Sequence, residues 1–340
     1  MGKMLKRTIV LLMIILAASL LFLGCDRDNM KEKKGVASLQ KVSVMLDWTP
    51  NTNHTGLYVA LENGYYKEQG LDVEILQAGE TGTDQLVAAG KVDFGVSYQE
   101  GVTNARAVDI PIVSLAAVIQ HNTSGFASLK DDNLTIPSDM EGKKYGGWGS
   151  PAEHAIIEAI VTKDGGNPDK VGFIDVGAAD FLSVIGRQVD FYWIFQGWDG
   201  MKAQLKDVPL NVIMLRDFEP ALDYYTPVII TNEKNIEERP DIVEKFMTAT
   251  SRGYEYCIEK PEEAAAILLK HVPELDPELV KISQKWLSGQ YKNDAPYWGW
   301  QEKEVWERYA KWMNERELIN KMIDTSQAFT NNFLPTTDKQ

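Results

Sequence analysis

The sequence predicts an α/β fold of two doubly wound lobes joined by two hinge crossings, with a helix-rich C-terminal tail on the first lobe. Three observations support this fold class. From Lys41 onward, strand patterns alternate with helix patterns; the alternation then restarts, and the region after Glu233 is mostly helical. Strands separated by helices indicate parallel βαβ units with right-handed crossovers. We therefore expect lobe I to comprise residues 41–128 and 225–340, and lobe II residues 129–224.

The first α/β unit is predicted from the period of its apolar residues. In 71–77, Leu71, Val73 and Ile75 recur at every second position, as in a strand with one buried face. The segment 55–70 has a helical pattern that is interrupted at Gly64 and ends at Gly70. The same criteria predict strands at 41–48, 91–98 and 110–119 and helices at 83–90 and 102–109.

The second unit and the tail follow from the same criteria. Pro151 in the first turn and the glycines at 165–166 bound a helix over 151–166. A strand within 139–149, strands at 171–176 and 189–195, and a helix at 178–188 complete lobe II, and 226–232 returns as a strand. The tail is predicted to contain helices at 242–259, 261–272, 277–287 and 303–319.

The N-terminus is typical of an export signal. Lys3, Lys6 and Arg7 precede an uncharged, mostly apolar run of 16 residues, Thr8–Leu23. This run is shorter than the roughly 20 residues of a membrane span and suits a signal peptide. Gly24-Cys25 resembles a bacterial lipobox, although Phe22 stands where an aliphatic residue is usual. We expect residues 1–24 to be a signal peptide and Cys25 to be lipidated, with a plain secretory signal or an uncleaved anchor as the alternatives.

The predicted mature protein is therefore attached to the extracytoplasmic face of the cell membrane by lipid. Residues 25–40 are polar and without apolar periodicity, which is typical of a flexible tether. The chain has a formal charge of −14, which becomes −17 without the three positive charges of residues 1–24. An acidic protein repels phosphate, so we expect no nucleic-acid partner.

Cysteine and histidine usage indicates no metal site. The only cysteines are Cys25 and Cys257, and the four histidines are scattered without zinc-ligand spacing. If Cys25 carries lipid, no internal disulfide is possible. No nucleotide-binding or nucleophile-elbow motif is present, so no cofactor is expected.

Four segments resemble the solute-binding proteins for the pyrimidine precursor of thiamine. They are LDWTPNTNHTGLYVALENGYYKEQGLDVEI (46–75), VAAGKVDFGVSYQE (87–100), VDFYWIFQGWDG (189–200) and FTNNFLP (329–335). LDWTPNTNH and GWDG are the more restrictive segments, because the motif around Asp93 recurs among binders of nitrate and sulfonates. The resemblance implies a type II periplasmic binding protein fold, a monomer, and an ABC transporter permease as partner. Fungal pyrimidine-precursor synthases share the fold, but that family carries a cysteine-rich iron-binding segment that this chain lacks.

An aminopyrimidine needs aromatic faces, worth about 0.5–1.5 kcal/mol per ring pair beyond area burial, together with a carboxylate or amide that accepts from its amine. In this fold class ligands bind at the carboxyl ends of strands. Asp47 and Trp48 stand at such an end, followed by Asn51 and His54, which could instead cap or begin the next helix.

The other strand ends supply further candidates. Tyr98 and Glu100 follow the third strand, where Glu100 could instead favour the positive end of a helix. Trp148 lies in a glycine-rich turn before the helix of lobe II. Tyr192 and Trp193 point to opposite faces of one strand, so only one of them can face the cleft. Trp198 and Asp199 follow that strand, and capping of the next helix is the alternative for Asp199.

These residues predict a binding protein for a thiamine pyrimidine precursor rather than an enzyme. The alternatives are binding of another flat heterocycle such as riboflavin or of a sulfonate, a pyrimidine-precursor synthase, and a sensor domain. A sulfonate site would need arginine or backbone amides, whereas these motifs offer carboxylates and aromatic rings. The synthase would need a catalytic constellation, for which His54 with Asp47 is the candidate of note.

Overall fold

Two five-stranded mixed sheets organise the described chain, and each is flanked by helices. The computed structural model describes residues 38–79, 81–177 and 179–335. The first sheet has the order β2-β1-β3-β10-β4 and the second β7-β6-β8-β5-β9. The strands are β1 Gln40–Met45, β2 Leu71–Leu76, β3 Phe94–Ser97, β4 Ile112–Ala117, β5 Ser124–Leu129, β6 Lys144–Gly147, β7 Gly172–Asp175, β8 Phe191–Phe195, β9 Leu210–Met214 and β10 Val228–Asn232.

The helices of the described residues lie between these strands and after β10. Those that accompany the first sheet are α1 Thr55–Glu62, α2 Tyr65–Glu68, α3 Thr83–Ala88 and α4 Gln99–Ala107. Those of the second are α5 Pro151–Lys163, α6 Phe181–Val184, α7 Met201–Leu205 and α8 Leu215–Phe218. After β10 come α9 Glu233–Glu238, α10 Pro240–Glu259, α11 Pro261–His271, α12 Pro277–Ser288 and α13 Lys303–Glu315.

The predicted fold class is confirmed, with a difference in strand direction. β1 pairs in parallel with β2 and β3, and β6 with β7 and β8, as the βαβ prediction requires. The fourth strand of each sheet, β10 or β5, runs antiparallel to both of its neighbours. Each of these two strands directly follows a segment that crosses from one sheet to the other. The chain therefore reaches β5 from the first sheet and β10 from the second.

The two crossings are residues 118–123 and 215–227. β5 belongs to the second sheet, although the sequence prediction assigned 124–128 to lobe I. The lobe boundaries themselves stay a prediction.

Edge strand β4 is completely buried because the C-terminal segment covers it. The Ser114 N–H donates to the carbonyl of Ala328 at 2.8 Å, and the Thr330 N–H donates to the carbonyl of Ser114 at 2.9 Å. Gly299 pairs with Ala117 on the same strand. This cover satisfies backbone groups that an open edge would leave unpaired, and it gives the FTNNFLP motif a structural role.

The predicted helix over 178–188 is shorter than expected. Only α6, Phe181–Val184, is helical. Gly186 has a φ of +67°, and Ile185 forms a bridge with Val189, which turns the chain directly into β8.

Candidate functional site

The loop after β1 is organised by His54, whose two ring nitrogens both have protein partners. The Asn51 backbone N–H donates to Nδ1 at 3.1 Å, so Nδ1 is an acceptor. Nε2 therefore carries the proton and donates it to Asp47 Oδ1 at 2.6 Å. His54 is fully buried, so the contact fixes the Asp47 carboxylate at the end of β1.

Asn51 is also engaged within the loop. Its side-chain oxygen accepts from the Asn53 N–H at 2.9 Å, and its amide nitrogen donates to the carbonyl of Thr49 at 3.1 Å. Asn51 is the N-cap of a 3-10 turn, Thr52–His54, which leads into α1. Contact of Asn51 or His54 with a ligand stays a prediction, but the contacts within the protein indicate that both residues position the loop.

Three large aromatic residues are exposed where parallel strands end. Trp48 follows β1 and is 55% exposed, Tyr98 follows β3 and is 37% exposed, and Trp148 follows β6 and is 49% exposed. Tyr98 also belongs to the Asp47 cluster: although the residue as a whole is partly exposed, desolvation of its hydroxyl, followed by the Asp47 carboxylate, raises the pKa of that hydroxyl. Aromatic surface exposed at strand ends is what a stacking site for a flat ligand requires.

Glu100, in the first turn of α4, carries an unusual carboxyl group. Desolvation by burial, followed by the charge of Glu153, raises its pKa to about 7. Glu153 belongs to α5 of the second sheet's unit, so two acidic side chains from different units lie near one another. No hydrogen bond connects the Glu100 carboxyl group to another described residue, and it therefore remains available to a ligand.

Glu153 itself is held by three donors. Its oxygens accept from the Tyr145 hydroxyl at 2.5 Å, from the Ser150 N–H at 2.7 Å and from the Trp148 N–H at 3.2 Å. The side chain is almost fully buried and closes the capping box of α5. Through its bond to the Trp148 N–H, it also fixes the turn that presents the Trp148 ring.

The two aromatic residues of β8 lie on opposite faces, as strand geometry requires. Trp193 contacts the Trp148 ring, with centroids 5.4 Å apart, and packs edge-on against Phe126. Tyr192 packs against Phe181 and donates its hydroxyl to the carbonyl of Ala179 at 3.0 Å. Of the two predicted ligand contacts, the geometry therefore favours Trp193.

The GWDG motif forms a π-helical turn, Gln196–Gly200, between β8 and α7. Trp198 is partly buried against a cluster that includes Tyr58, Leu268 and Val280 of the first sheet's unit. The Ser283 hydroxyl of α12 donates to the carbonyl of Gly197 and also contacts the Thr52 hydroxyl at 2.6 Å. This turn therefore packs on the C-terminal helices, and ligand contact of Trp198 stays a prediction beside this packing role.

The Asp199 carboxylate accepts a hydrogen bond from the last residue of the preceding strand, β8. Its Oδ2 accepts from the Phe195 N–H at 3.1 Å, so it caps the π-helical turn rather than α7. Burial raises the pKa of Asp199, and the bond from Phe195 partly opposes this increase. The bond from Phe195 engages Oδ2, and ligand contact through the carboxylate stays a prediction for this residue too.

Sequence reasoning missed Glu153, Tyr224 and Tyr309. Ser150 and Glu153 have capping-box spacing, which predicts a helix start but gives no sign of a neighbouring Glu100. Tyr309 lies in the apolar face of α13, and Tyr224 lies in the second crossing. Their rings stack with centroids 4.3 Å apart, and the Glu100 charge raises the pKa of both hydroxyls in addition to burial.

The described residues contain neither a metal-binding cluster nor a membrane-spanning helix. Within 38–79, 81–177 and 179–335, no cluster of three or more histidine, cysteine, aspartate or glutamate side chains has a metal-binding arrangement. In the same ranges, no helix is both long and apolar enough to cross a membrane. Cys25 and the predicted signal peptide lie outside the described residues.

Comparisons with known proteins agree with this architecture. The formylaminopyrimidine-binding protein of Halalkalibacterium halodurans is 31% identical over 329 residues, which cover 93% of this chain and 96% of that protein. The 4-amino-5-hydroxymethyl-2-methylpyrimidine phosphate synthase of Legionella pneumophila is 26% identical, covering 87% of this chain and 93% of that protein.

The fold recurs at lower sequence identity in solved structures. The periplasmic aliphatic sulphonate binding protein SsuA from Escherichia coli superposes with a TM-score of 0.66 at 13% identity, covering 87% of this chain and 93% of that one. This likeness shows the fold alone. The family model described as NMT1/THI5 like matches residues 51–264. The chain therefore belongs to the NMT1/THI5-like family and has the fold of the periplasmic solute-binding proteins.

Proposed function

We propose that this solute-binding protein captures an aminopyrimidine precursor of thiamine between the units of its two sheets and delivers it to an ABC importer. The observation that carries the proposal is the set of exposed aromatic rings at the ends of parallel strands, with the unbonded Glu100 carboxyl beside them. Trp48, Tyr98 and Trp148 provide faces for a flat ring. Glu100 provides an acceptor for its exocyclic amine, with Asp199 as a second candidate.

The similarity to the formylaminopyrimidine-binding protein supports this ligand class, because it extends over 93% of the chain. The charge of the site supports it as well. The acidic side chains at the strand ends are Asp47, Glu100 and Asp199. These groups accept hydrogen bonds from an amine and repel a sulfonate.

We propose that the protein binds its ligand without converting it. In the pair considered for catalysis, His54 donates to Asp47 through Nε2 and accepts from the Asn51 N–H through Nδ1. A general base needs a free nitrogen within hydrogen-bond reach of the substrate. The engagement of both nitrogens, together with complete burial, supports a positioning role for His54.

Calorimetric titration with 4-amino-5-hydroxymethyl-2-methylpyrimidine and its formylamino analogue tests the ligand class. Riboflavin and an alkanesulfonate serve as competitors, and mass spectrometry of the recovered pyrimidine tests for conversion. We expect saturable binding of a pyrimidine and its recovery unchanged. Tighter binding of riboflavin or of the sulfonate contradicts the assignment, and an altered pyrimidine contradicts the binding-only role.

We further propose that Cys25 attaches the protein by lipid to the extracytoplasmic face of the membrane. Gly24-Cys25 follows the apolar run Thr8–Leu23, as in a lipobox. Each buried methylene contributes about 0.8 kcal/mol, so two acyl chains hold a protein stably. Cys25→Ser should release the protein from the membrane fraction, whereas Cys257→Ser should not. Full membrane retention of Cys25→Ser would show that lipidation of this cysteine is not the anchor.

A further inference from the structure

The buried polar side-chain groups that have no hydrogen-bond partner among the described residues include two whose rings contact Tyr224 and Trp148. They are the Tyr309 hydroxyl and the Trp193 indole N–H, on side chains that are 0% and 6% exposed. Buried polar groups in folded proteins are nearly always bonded, and an unbonded one destabilises the fold. Gln99, the neighbour of Glu100, donates to the carbonyl of Val305 on α13 at 3.3 Å, so the unbonded Glu100 carboxyl group and the unbonded Tyr309 hydroxyl belong to adjoining helices and indicate a polar subsite.

The contacts around Glu100 connect these groups into one region. Tyr309 stacks on Tyr224, and the Glu100 charge acts on both hydroxyls. The Tyr224 hydroxyl has the Asn122 side chain as a hydrogen-bond partner, whereas the Tyr309 hydroxyl has none among the described residues. The Trp193 ring contacts the Trp148 ring, and the Trp148 backbone N–H donates to Glu153. The charge of Glu153 in turn raises the pKa of Glu100.

The charged surroundings of Glu100 are acidic. The groups that interact electrostatically with it are Tyr98 on its own segment, Glu153 on α5, Tyr224 in the second crossing and Tyr309 on α13. No basic side chain of the described residues is among the groups that shift its pKa. An anionic ligand group at this position would meet two carboxyl groups and no cation.

We propose that Glu100 and Tyr309 form one subsite that binds an amine of the ligand, and that Glu153 beside it excludes ligands bearing a phosphate or sulfonate. The inference rests on the proposed function and narrows it to unphosphorylated aminopyrimidines. One amine hydrogen is donated to a carboxylate oxygen of Glu100 and the other to the hydroxyl oxygen of Tyr309. The C-terminal helix α13 thereby contributes to specificity, a role beyond packing.

The subsite predicts a pH dependence. A neutral amine donates to the ionised form of Glu100, whose pKa is about 7, so binding displaces the proton. Affinity should therefore rise about tenfold between pH 6 and pH 8, because the ionised fraction rises by that factor across the pKa. Glu100→Gln should abolish this rise.

The test compares 4-amino-5-hydroxymethyl-2-methylpyrimidine with its phosphate ester by calorimetry at pH 6 and pH 8. The wild-type protein should bind the alcohol roughly 10- to 150-fold more tightly than the ester, the fold-change that corresponds to the 1.5–3 kcal/mol typical of interactions with charged groups. Tyr309→Phe should weaken binding of the alcohol about twofold to tenfold, as expected for one neutral hydrogen bond. Glu153→Gln should narrow the difference between alcohol and ester.

Two matched variants control for structural effects. Tyr66→Phe removes another fully buried hydroxyl, one bonded to Thr250 in the core beneath the first sheet. Glu255→Gln removes another carboxyl whose pKa is raised by burial, on α10. Both should leave affinity unchanged, and circular dichroism of each variant verifies folding.

The outcomes separate this inference from the proposed function. Equal binding of alcohol and ester, or wild-type affinity in Tyr309→Phe, overturns the subsite while leaving pyrimidine binding in place. Failure of the wild-type protein to bind any aminopyrimidine overturns the proposed function and the subsite with it.

Discussion

At the strand ends, the role of each carboxylate depends on the hydrogen bonds that it accepts from neighbouring residues. Asp47 accepts from His54 and is fixed in the loop, and Glu153 accepts from three donors and is fixed at the start of α5. Asp199 accepts one backbone bond, whereas Glu100 accepts none from the described residues. A carboxylate with free oxygens can bind a ligand without breaking contacts of the protein, so Glu100 and Asp199 are the stronger candidates.

Substitution of Asp199 distinguishes ligand contact from capping. Asp199→Asn keeps the shape and the acceptor for the Phe195 N–H but removes the charge. If the carboxylate binds the ligand amine, affinity for the aminopyrimidine should fall roughly 10- to 150-fold, the effect of about 1.5–3 kcal/mol. Asp199→Ala should in addition lower the free energy of unfolding by about 1 kcal/mol, because the Phe195 N–H loses its partner.

Asp276→Asn is the matched control for this experiment. Asp276 caps α12 by accepting from the Glu278 and Leu279 N–H groups, and asparagine caps helices about as well. We expect Asp276→Asn to change neither affinity nor stability. Unchanged affinity in Asp199→Asn would reduce Asp199 to a capping residue.

At the scale of elements, a close helix pair supports the loop that carries Asp47 and His54. α1 begins directly after His54 and packs on α10 through Gly56 and Gly253. A Cβ on Gly253 would lie 2.1 Å from the carbonyl oxygen of Gly56, and a Cβ on Gly56 would lie 2.4 Å from the Tyr254 ring. Both positions therefore need glycine because the two helices lie too close together for a Cβ atom, and not because the backbone conformation there favours glycine.

Gly253→Ala should force α1 away from α10. Overpacking of this kind typically costs about 1–3 kcal/mol, which exceeds the gain of up to about 1 kcal/mol that alanine brings to a helix interior. We expect a lower urea midpoint and weaker ligand binding, because the loop after β1 moves with α1. In the control Gly289→Ala, the nearest atom to the new Cβ is 3.8 Å away, so stability should change little. Unchanged stability in Gly253→Ala would show that the helix pair can adapt.

At the scale of the whole molecule, the two crossings are tied to one another. Asp223 in the second crossing accepts from the Asn122 N–H at 3.0 Å and forms an ion pair with His121 at 2.7 Å, both in the first crossing. The Asn122 amide also donates to the carbonyl of Leu222 at 2.8 Å. Crossings joined in this way can bend together, which is typical of a hinge between two lobes.

Ligand binding should therefore close the molecule. We expect the aminopyrimidine to raise the melting temperature by mass action and to reduce the radius of gyration measured by X-ray scattering. Ser283→Ala removes the contacts of Ser283 with Gly197 and Thr52, which link the C-terminal helices to the GWDG turn. This variant should enlarge the ligand-free radius. A thermal shift without a change in radius would indicate a rigid, preformed pocket.

Local pattern was sufficient for the elements whose residues alternate or repeat strongly. The period-two burial of Val42 and Val44 in β1, the Pro151 start of α5 and the amphipathic tail helices were all predictable from sequence. β5 and β9 were not, because β5 contains Gly125 and three small or polar neighbours. β5 is defined mainly by pairing with β8 and β9, and β9 by pairing with β5.

The sequence by itself determined the alternation of strands and helices, and with it the strand ends at which Trp48, Tyr98, Glu100 and Trp148 lie. These features depend on neighbours a few residues apart. Only the tertiary structure decided that Glu153 lies near Glu100, that Tyr309 of α13 stacks on Tyr224, and that both nitrogens of His54 are engaged. Electrostatic interaction, stacking and desolvation act through space. The partners of Glu100, at positions 153, 224 and 309, were fixed by the packing of distant elements, which no local pattern encodes.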